Sequence, residues 1–309
     1  MCTDHCLLIT VQARHLLITS SEDSFSEGYQ RRHGPAVARI NADAEVLDDV
    51  VMCANGAICD GILFEDIESI YWRKPFMPDG QVRPDTASYE RSQRRYVLKS
   101  LCRLAQRAGK WLMVDPDYDA LVPRAVQLME ASRHFRVPDW QMGAGSRVDA
   151  RADRVVKSLV AHSVGDSGGM STQRIPQRST LAPNFTWYVQ DCIQASHDVT
   201  VVFCCGRHWA FALDRQDLGD EVDWRLFGRN HHSKPWKSTS LSASEVDSVA
   251  AFMRGLDLNF GRIDLLRDNK GSLWFLEVNA NGQFGWLDAD GQGGMHDWVF
   301  DCARRRPIQ

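Results

Sequence analysis

The 309 residues are 44% hydrophobic and 25% charged, with 36 Lys and Arg against 40 Asp and Glu. That length buries a large core and predicts two or three subdomains, while a net charge of −4 argues against a nucleic-acid binder held by phosphate contacts. No apolar run approaches the roughly 20 residues needed to span a bilayer, and the nine cysteines lack the CxxC and His spacing of a zinc site.

Asp4 and His5 stand where the basic region of a secretory signal would lie, and the apolar run after them is short, so no signal peptide is expected. Adjacent Cys204 and Cys205 fall in an apolar strand and read as buried thiols, which fits a reducing cytoplasm. Leu7-Leu8-Ile9-Thr10-Val11 has the pattern of an extra edge strand. Leu16-Leu17-Ile18-Thr19 is a short buried-strand signal, and Ser20 to Ser24 suits a helix N-cap. Ala36 to Asn41 reads as the next strand, and this β-α-β opening implies a parallel α/β sheet. Glu65 to Ile70 leads into Tyr71-Trp72-Arg73-Lys74-Pro75. Arg73 and Lys74 there either cap strand ends or bind an acidic peptide. Tyr89 to Gly109 has helical periodicity and stops at a glycine. Trp111 to Pro116 is then a strand leaving the domain, with the boundary near Asp115–Asp119.

Arg124 opens a helix that continues to Arg133, before Val137-Pro138-Asp139. Val155-Val156-Lys157 is a strand, followed by Gly165-Asp166-Ser167-Gly168-Gly169. Such a glycine-rich loop lets backbone N–H groups approach phosphate closely, but no Gly-Lys-Ser/Thr follows, so it is not a Walker loop. Tyr188 to Ile193 and Asp198 to Phe203 are strands, and His208 to Leu213 is the return strand. A loop carrying Asp223-Trp224-Arg225 comes next. His231 and His232 are adjacent, so their side chains diverge and a metal site there is not expected. Ser242 with Glu245 three residues on is a capping box, opening a helix that ends near Gly255.

Phe260 to Asn279 reads as a β-hairpin, because Asp268-Asn269-Lys270-Gly271 carries turn chemistry between two apolar runs. Side chains alternate faces along a strand, so Glu277 and Asn279 share one face. A turn centred on Asn269-Lys270 puts Asp264 opposite Phe275 and diagonal to Glu277, about 7–8 Å away at Cβ. Two carboxylates and a carboxamide at that spacing suit hard cations, which take oxygen ligands, and a pair of Mg²⁺ ions about 4 Å apart fits between them. Ile263, Leu265, Trp274, Leu276 and Val278 make the other face apolar, and Phe275 and Leu266 make even the acidic face partly so. Acids in that setting cost free energy unless paired or bound to metal. Gly291 to Gly294 is then a loop, and His296 to Ala303 a terminal helix.

Asp264, then Glu277-Val278-Asn279 with Gly282 close behind, resembles the metal-binding end of ATP-grasp ligases. The string Phe275 to Gln283 followed by Trp286 is similar to one branch, the ATP-grasp ribosomal peptide maturases or graspetide (microviridin-type) macrocyclases. Arg39 to Asp43, Tyr71 to Pro75 and Asp223-Trp224-Arg225 look like further runs of that branch. The resemblance implies an α/β ATP-grasp fold with a Rossmann-like N-terminal domain and two lobes clasping the nucleotide. The corresponding divisions are 1–115, 116–189 and 190–309. It implies ATP and Mg²⁺ as cofactors, with Arg124 and Lys157 on phosphates and Gln190, Asp191 and Ile193 along the adenine edge. It adds Asp198 to the nucleotide site, Asp264, Glu277 and Asn279 to the metal, and Arg73 and Lys74 to the substrate. Arg225 would stabilise the anionic tetrahedral intermediate of acyl transfer, with Asp223 as its orienter or as a base for the nucleophile.

Two departures remove positive charge near the triphosphate: Thr200 stands in place of an arginine and Gln194 in place of a lysine. The function implied is activation of Asp or Glu side chains in a ribosomal precursor peptide, leader and core. Ser/Thr hydroxyls or Lys amines would then close ω-ester or ω-amide rings. A carboxylate–amine ligase of amino acids or small peptides, and a catalytically silent peptide-binding relative, remain open. So does a homodimer. Neither nucleic acid nor membrane is an expected partner.

Overall fold

The computed structural model describes residues 14–43, 50–53, 56–59, 61–75, 87–159, 172–176, 180–217, 222–224 and 236–305. Two compact units result, one from the described residues up to Tyr118 plus those from Asp288 onward, the other Asp119–Leu287. The segment after Asp288 thus packs with the N-terminal residues, whereas the sequence divisions placed it in 190–309.

The first unit is built on strands β1 (His15–Thr19), β2 (Val37–Asn41), β6 (Ser69–Trp72) and β7 (Trp111–Leu112), all parallel, in the order β2-β1-β6-β7. Every residue of β1 is buried, as expected for a central parallel strand covered on both faces. Helix α1 (Ser24–His33) makes the first crossover, closed by Gly34 at φ +54°, a left-handed value that glycine adopts without a Cβ penalty. Helix α2 (Ala87–Arg107) precedes β7. A small antiparallel sheet, β3 (Val50–Cys53), β4 (Gly56–Cys59) and β5 (Ile62–Leu63), lies between β2 and β6 in the chain; the sequence reading did not contain it. The C-terminal helix Met295–Arg304 joins this unit, with Cys302 O accepting from Trp111 Nε1 at 2.7 Å and Phe300 packed beside Phe25 and Tyr29.

The second unit has two antiparallel sheets. One contains β8 (Trp140–Ala144), β9 (Arg154–Lys157), β10 (Gln173–Arg174) and β11 (Thr186–Asp191) in the order β10-β9-β11-β8. The other contains β12 (Ala195–Cys204), β13 (Arg207–Asp214), β14 (Lys237–Thr239), β15 (Phe260–Asp268) and β16 (Leu273–Asn279) in the order β14-β13-β12-β15-β16. Alternation sorts the second sheet cleanly. Val199, Val201, Phe203, Ile263, Leu265, Leu273, Phe275 and Val278 join one core with Leu128, Val249, Phe252 and Met253. The last four come from helices α3 (Arg124–Ala131) and α4 (Ala243–Gly255), which therefore cover that face. α4 starts at the expected capping box, Ser242 with Glu245. The opposite face carries Asp198, Thr200, Arg262, Asp264, Glu277 and Asn279.

Candidate active site

The hairpin forms as the sequence implies, but in a different register. Leu265 pairs with Phe275 and Asp264 with Glu277, so Leu276 is an extra residue in a β-bulge. Asp264 is therefore directly opposite Glu277, where the sequence placed it opposite Phe275. The bulge also reverses the phase of alternation along β16. Leu273 and Phe275 face the core, and after the extra residue Val278 does too, while Glu277 and Asn279 turn to the polar face. Phe275 consequently belongs to the core and not to the acidic face.

Asp264 Oδ1 accepts from Thr200 Oγ1 at 3.0 Å, and Oδ2 accepts from Arg262 Nη2 at 3.0 Å. Asn279 Nδ2 bridges the two acids, at 3.4 Å from Asp264 Oδ2 and 3.2 Å from Glu277 Oε1. Glu277 Oε2 is ion-paired with Arg124, whose Nη1 also donates to Leu276 O at 3.1 Å. Gln127, one turn along α3, accepts from Val278 N at 3.0 Å, so the helix fixes the bulged stretch by two contacts. Burial pushes the Asp264 carboxyl upward and the facing Glu277 charge adds to it, with Arg262 opposing. Burial would also raise Glu277, but Arg124 and then Lys157 outweigh it and bring that carboxyl to about 2. The two acids share a site with opposite leanings, Asp264 toward its proton and Glu277 away from it. Oxygen donors from Asp264, Glu277 and Asn279 on one face fit a hard divalent cation.

Asp198, 5% exposed, has both carboxylate oxygens bonded by Arg215 Nη1, at 3.0 and 2.8 Å. Burial, opposed by Arg215, raises its pKa to about 6. A carboxyl raised in the folded state stabilises less as pH climbs from its unfolded value toward the folded one. In EDTA, wild type should thus lose about 1 kcal/mol of unfolding free energy between pH 5 and pH 7.5 that Asp198→Asn does not lose. Urea midpoints of the two proteins at both pH values check this, and parallel curves would refute the assignment.

In the other sheet, Lys157 ends β9 opposite Tyr188, close enough for its charge to act on Glu277. The buried Gln190 Oε1 accepts from Tyr188 Oη at 2.7 Å, which fixes the amide's orientation. Asp191 is ion-paired with Arg154 at 3.1 Å, and its N–H donates to Asp139 O at 2.9 Å. Cys192 N–H donates to Asp153 O at 2.9 Å. Of the three positions expected along an adenine edge, Ile193 is the one whose amide makes no bond of this kind among the described residues.

Asp223 is buried and accepts from Thr172 N at 3.0 Å. Trp224 beside it packs against Trp236 and Trp286, centroids 5.3 and 5.8 Å away. Arg225, the Gly165–Gly169 loop, His231, His232 and the 7–11 strand lie outside the described residues. Arg73 belongs to the first unit, where it is 2% exposed, 3.4 Å from Asp23 and 4.9 Å over the Phe25 ring. That placement is structural, and it does not offer the guanidinium to a peptide in this state. Lys74 follows at φ +42°. Arg39 and Asp43 secure the β1–α1 connection, Arg39 by bonds to Ser20 O and Ser21 O, Asp43 by accepting from Ser21. Sequence reasoning missed Arg215, Arg262 and Gln127. For two of them a signal was available, two residues along a strand (Arg262, Asp264) and one helical turn from Arg124 (Gln127); Arg215 meets Asp198 across 17 positions and left none.

No protein-family model and no curated protein matches the chain. Solved structures do. A RiPP-associated ATP-grasp ligase of Chryseobacterium gregarium, in complex with ADP and a leader and core peptide, aligns with TM-score 0.75 at 18% identity, over 96% of this chain and 100% of that one. The macrocyclase MdnC of Microcystis aeruginosa, bound with precursor peptide MdnA, aligns with TM-score 0.75 at 16% identity, over 94% and 98%. The ATP-grasp ligase PsnB, complexed with minimal precursor, Mg and ADP, aligns with TM-score 0.72 at 15% identity, over 98% and 100%. The chain has the ATP-grasp fold.

Proposed function

We propose that this chain is an ATP- and Mg²⁺-dependent ligase that activates Asp or Glu side chains of a ribosomal precursor peptide and closes ω-ester or ω-amide rings. The observation that carries it is the acid pair Asp264 and Glu277, bridged by Asn279 on the polar face of a sheet whose other face is core. The complexes of the similar structures with precursor peptide, ADP and Mg support the same reading. ATP supplies the phosphoryl group that converts the substrate carboxylate to an acyl phosphate, and Mg²⁺ the charge that phosphoryl transfer needs. Attack by a hydroxyl or amine then releases phosphate, so each link removes one water in net.

Asp264 and Glu277 would hold the metal, with Asn279 supplying its amide oxygen. Lys157 and Arg124 bring positive charge to the edge where phosphates would lie, and Gln190 with Ile193 would meet the nucleobase. Arg225 keeps the role of stabilising the tetrahedral oxyanion, a task for a fixed guanidinium, and Asp223 beside it that of orienting it. The reading is tested by incubating the protein with each short peptide encoded near its gene, with ATP and Mg²⁺. Mass losses of about 18 Da per link, one water each, that require both are expected, since condensation through an acyl phosphate expels water in net. ADP release with free amino acids, and no change in any peptide, would replace it with the amino-acid ligase.

A further inference from the structure

Three acids of the polar face each have their own arginine: Asp198 with Arg215, Glu277 with Arg124, and Asp264 with Arg262. Adding a divalent cation to such a balanced face requires that guanidinium charge be displaced, and leaves a positive excess that an anion must neutralise. Arg262 is the arginine whose construction suits that exchange.

It stands on β15 opposite Asn279 and next to Val202 of β12, so it shares the face with Thr200 and Asp264. Nη1 is held by Gln283 O at 3.0 Å, Nη2 bonds Asp264 Oδ2, and Nε is buried with no partner. A buried donor without an acceptor costs free energy, so the resting position is not the one that satisfies this side chain best. Nε and Nη2 together form the edge of a guanidinium that grips two oxygens of a phosphate or carboxylate at once. The single bond that occupies that edge goes to Asp264, the acid a metal would take. The bond to Gln283 O would keep the group at the site once Asp264 is lost. Thr200, the neighbour across the ladder from Asp264, offers a hydroxyl and no charge.

We propose that Arg262 couples metal to nucleotide: it neutralises Asp264 in the ligand-free protein, yields that carboxylate to the divalent ion, and then contacts the polyphosphate through Nε and Nη2. This rests on the ATP-dependent ligase reading. The test compares wild type with Arg262→Met, which keeps the aliphatic stem, and with Arg262→Lys, which keeps the charge but not the edge. Mn²⁺ binding without nucleotide, and ATP and AMP binding in saturating Mg²⁺, are measured by calorimetry.

Arg262→Met should bind Mn²⁺ about tenfold more tightly and ATP about tenfold more weakly, since a charged hydrogen bond of this kind is typically worth a factor of that order. AMP affinity should change by less than about threefold, for want of the terminal phosphates. A merely structural arginine would weaken both ligands on removal, and that outcome, or no change in either, overturns the inference. Should Arg262→Met not fold, Arg262→Lys decides: weaker ATP with Mn²⁺ affinity within about twofold of wild type supports the coupling, and unchanged ATP refutes it. A wild-type protein that binds no ATP would instead remove the ligase reading itself.

Discussion

Asp264→Asn should slow ATP-dependent peptide ligation by about a thousandfold while leaving the fold intact. A metal ion at a phosphoryl-transfer site is worth several kcal/mol of transition-state stabilisation, and about 1.4 kcal/mol is a factor of ten in rate. Asparagine keeps the size of the side chain and an oxygen that can accept from Thr200 Oγ1, the bond seen at 3.0 Å. It removes the charge that faces Glu277 across the ladder and that would draw a cation. The expectation is therefore specific: far-ultraviolet circular dichroism and thermal midpoint close to wild type, with ring formation and ADP release both lost. Rates within about tenfold of wild type would show that Asp264 is not a ligand, since a lost ligand removes more than that.

Phe275→Ala should destabilise the protein by about 3–5 kcal/mol, the range for deleting a fully buried aromatic ring. Phe275 is 0% exposed, with ring centroids 4.9 Å from Phe252 and 6.2 Å from Phe135. α4 and the segment after α3 meet the sheet at this cluster, so the cavity cannot close by the shift of one side chain. A loss below about 1.5 kcal/mol in urea titration would place Phe275 on a collapsible periphery. The same measurement reports on the bulge, because only the reversal of phase at Leu276 puts this ring and the Glu277 carboxylate on opposite faces. The ring anchors the strand from one side, and the acid lies on the other.

Much of the site was legible because strand alternation is a local rule. Glu277 and Asn279 could be placed on one face, and the Asp268 turn located, without knowing any distant partner, whereas Asp264 joined them only through an assumed turn centre. The register was not legible: an extra residue in one strand leaves no mark on an apolar string such as Leu273 to Val278, and it is the packing of Phe275 against Phe252 of α4 and Phe135 after α3 that goes with it. Arg124 was assigned to phosphate, and in the ligand-free structure it holds Glu277, 153 positions away in the sequence. No spacing rule reaches that far. Arg73, read as either a strand-end cap or a peptide ligand, follows β6 directly and lies over the Phe25 ring beside Asp23. Long stems bury as readily as they extend, and the choice depends on what the neighbouring helix offers. The fold class was carried by the order of elements in the first unit and by the family resemblance in the second, since antiparallel sheets of this kind arise in many architectures.

Asp268 closes its own turn: Oδ1 accepts from Lys270 N and Ser272 N, and Oδ2 from Trp274 Nε1. A loop tied by its first residue needs nothing from the rest of the chain, and hairpins of this length zip in microseconds. The pairing of β15 with β12 joins residues some sixty positions apart, as at Thr200 and Asp264, and must follow at the slower pace of distant chain closure. The turn at Asp268 can thus close early, while the bulged register that sets Asp264 opposite Glu277 waits for the distant packing that selects it.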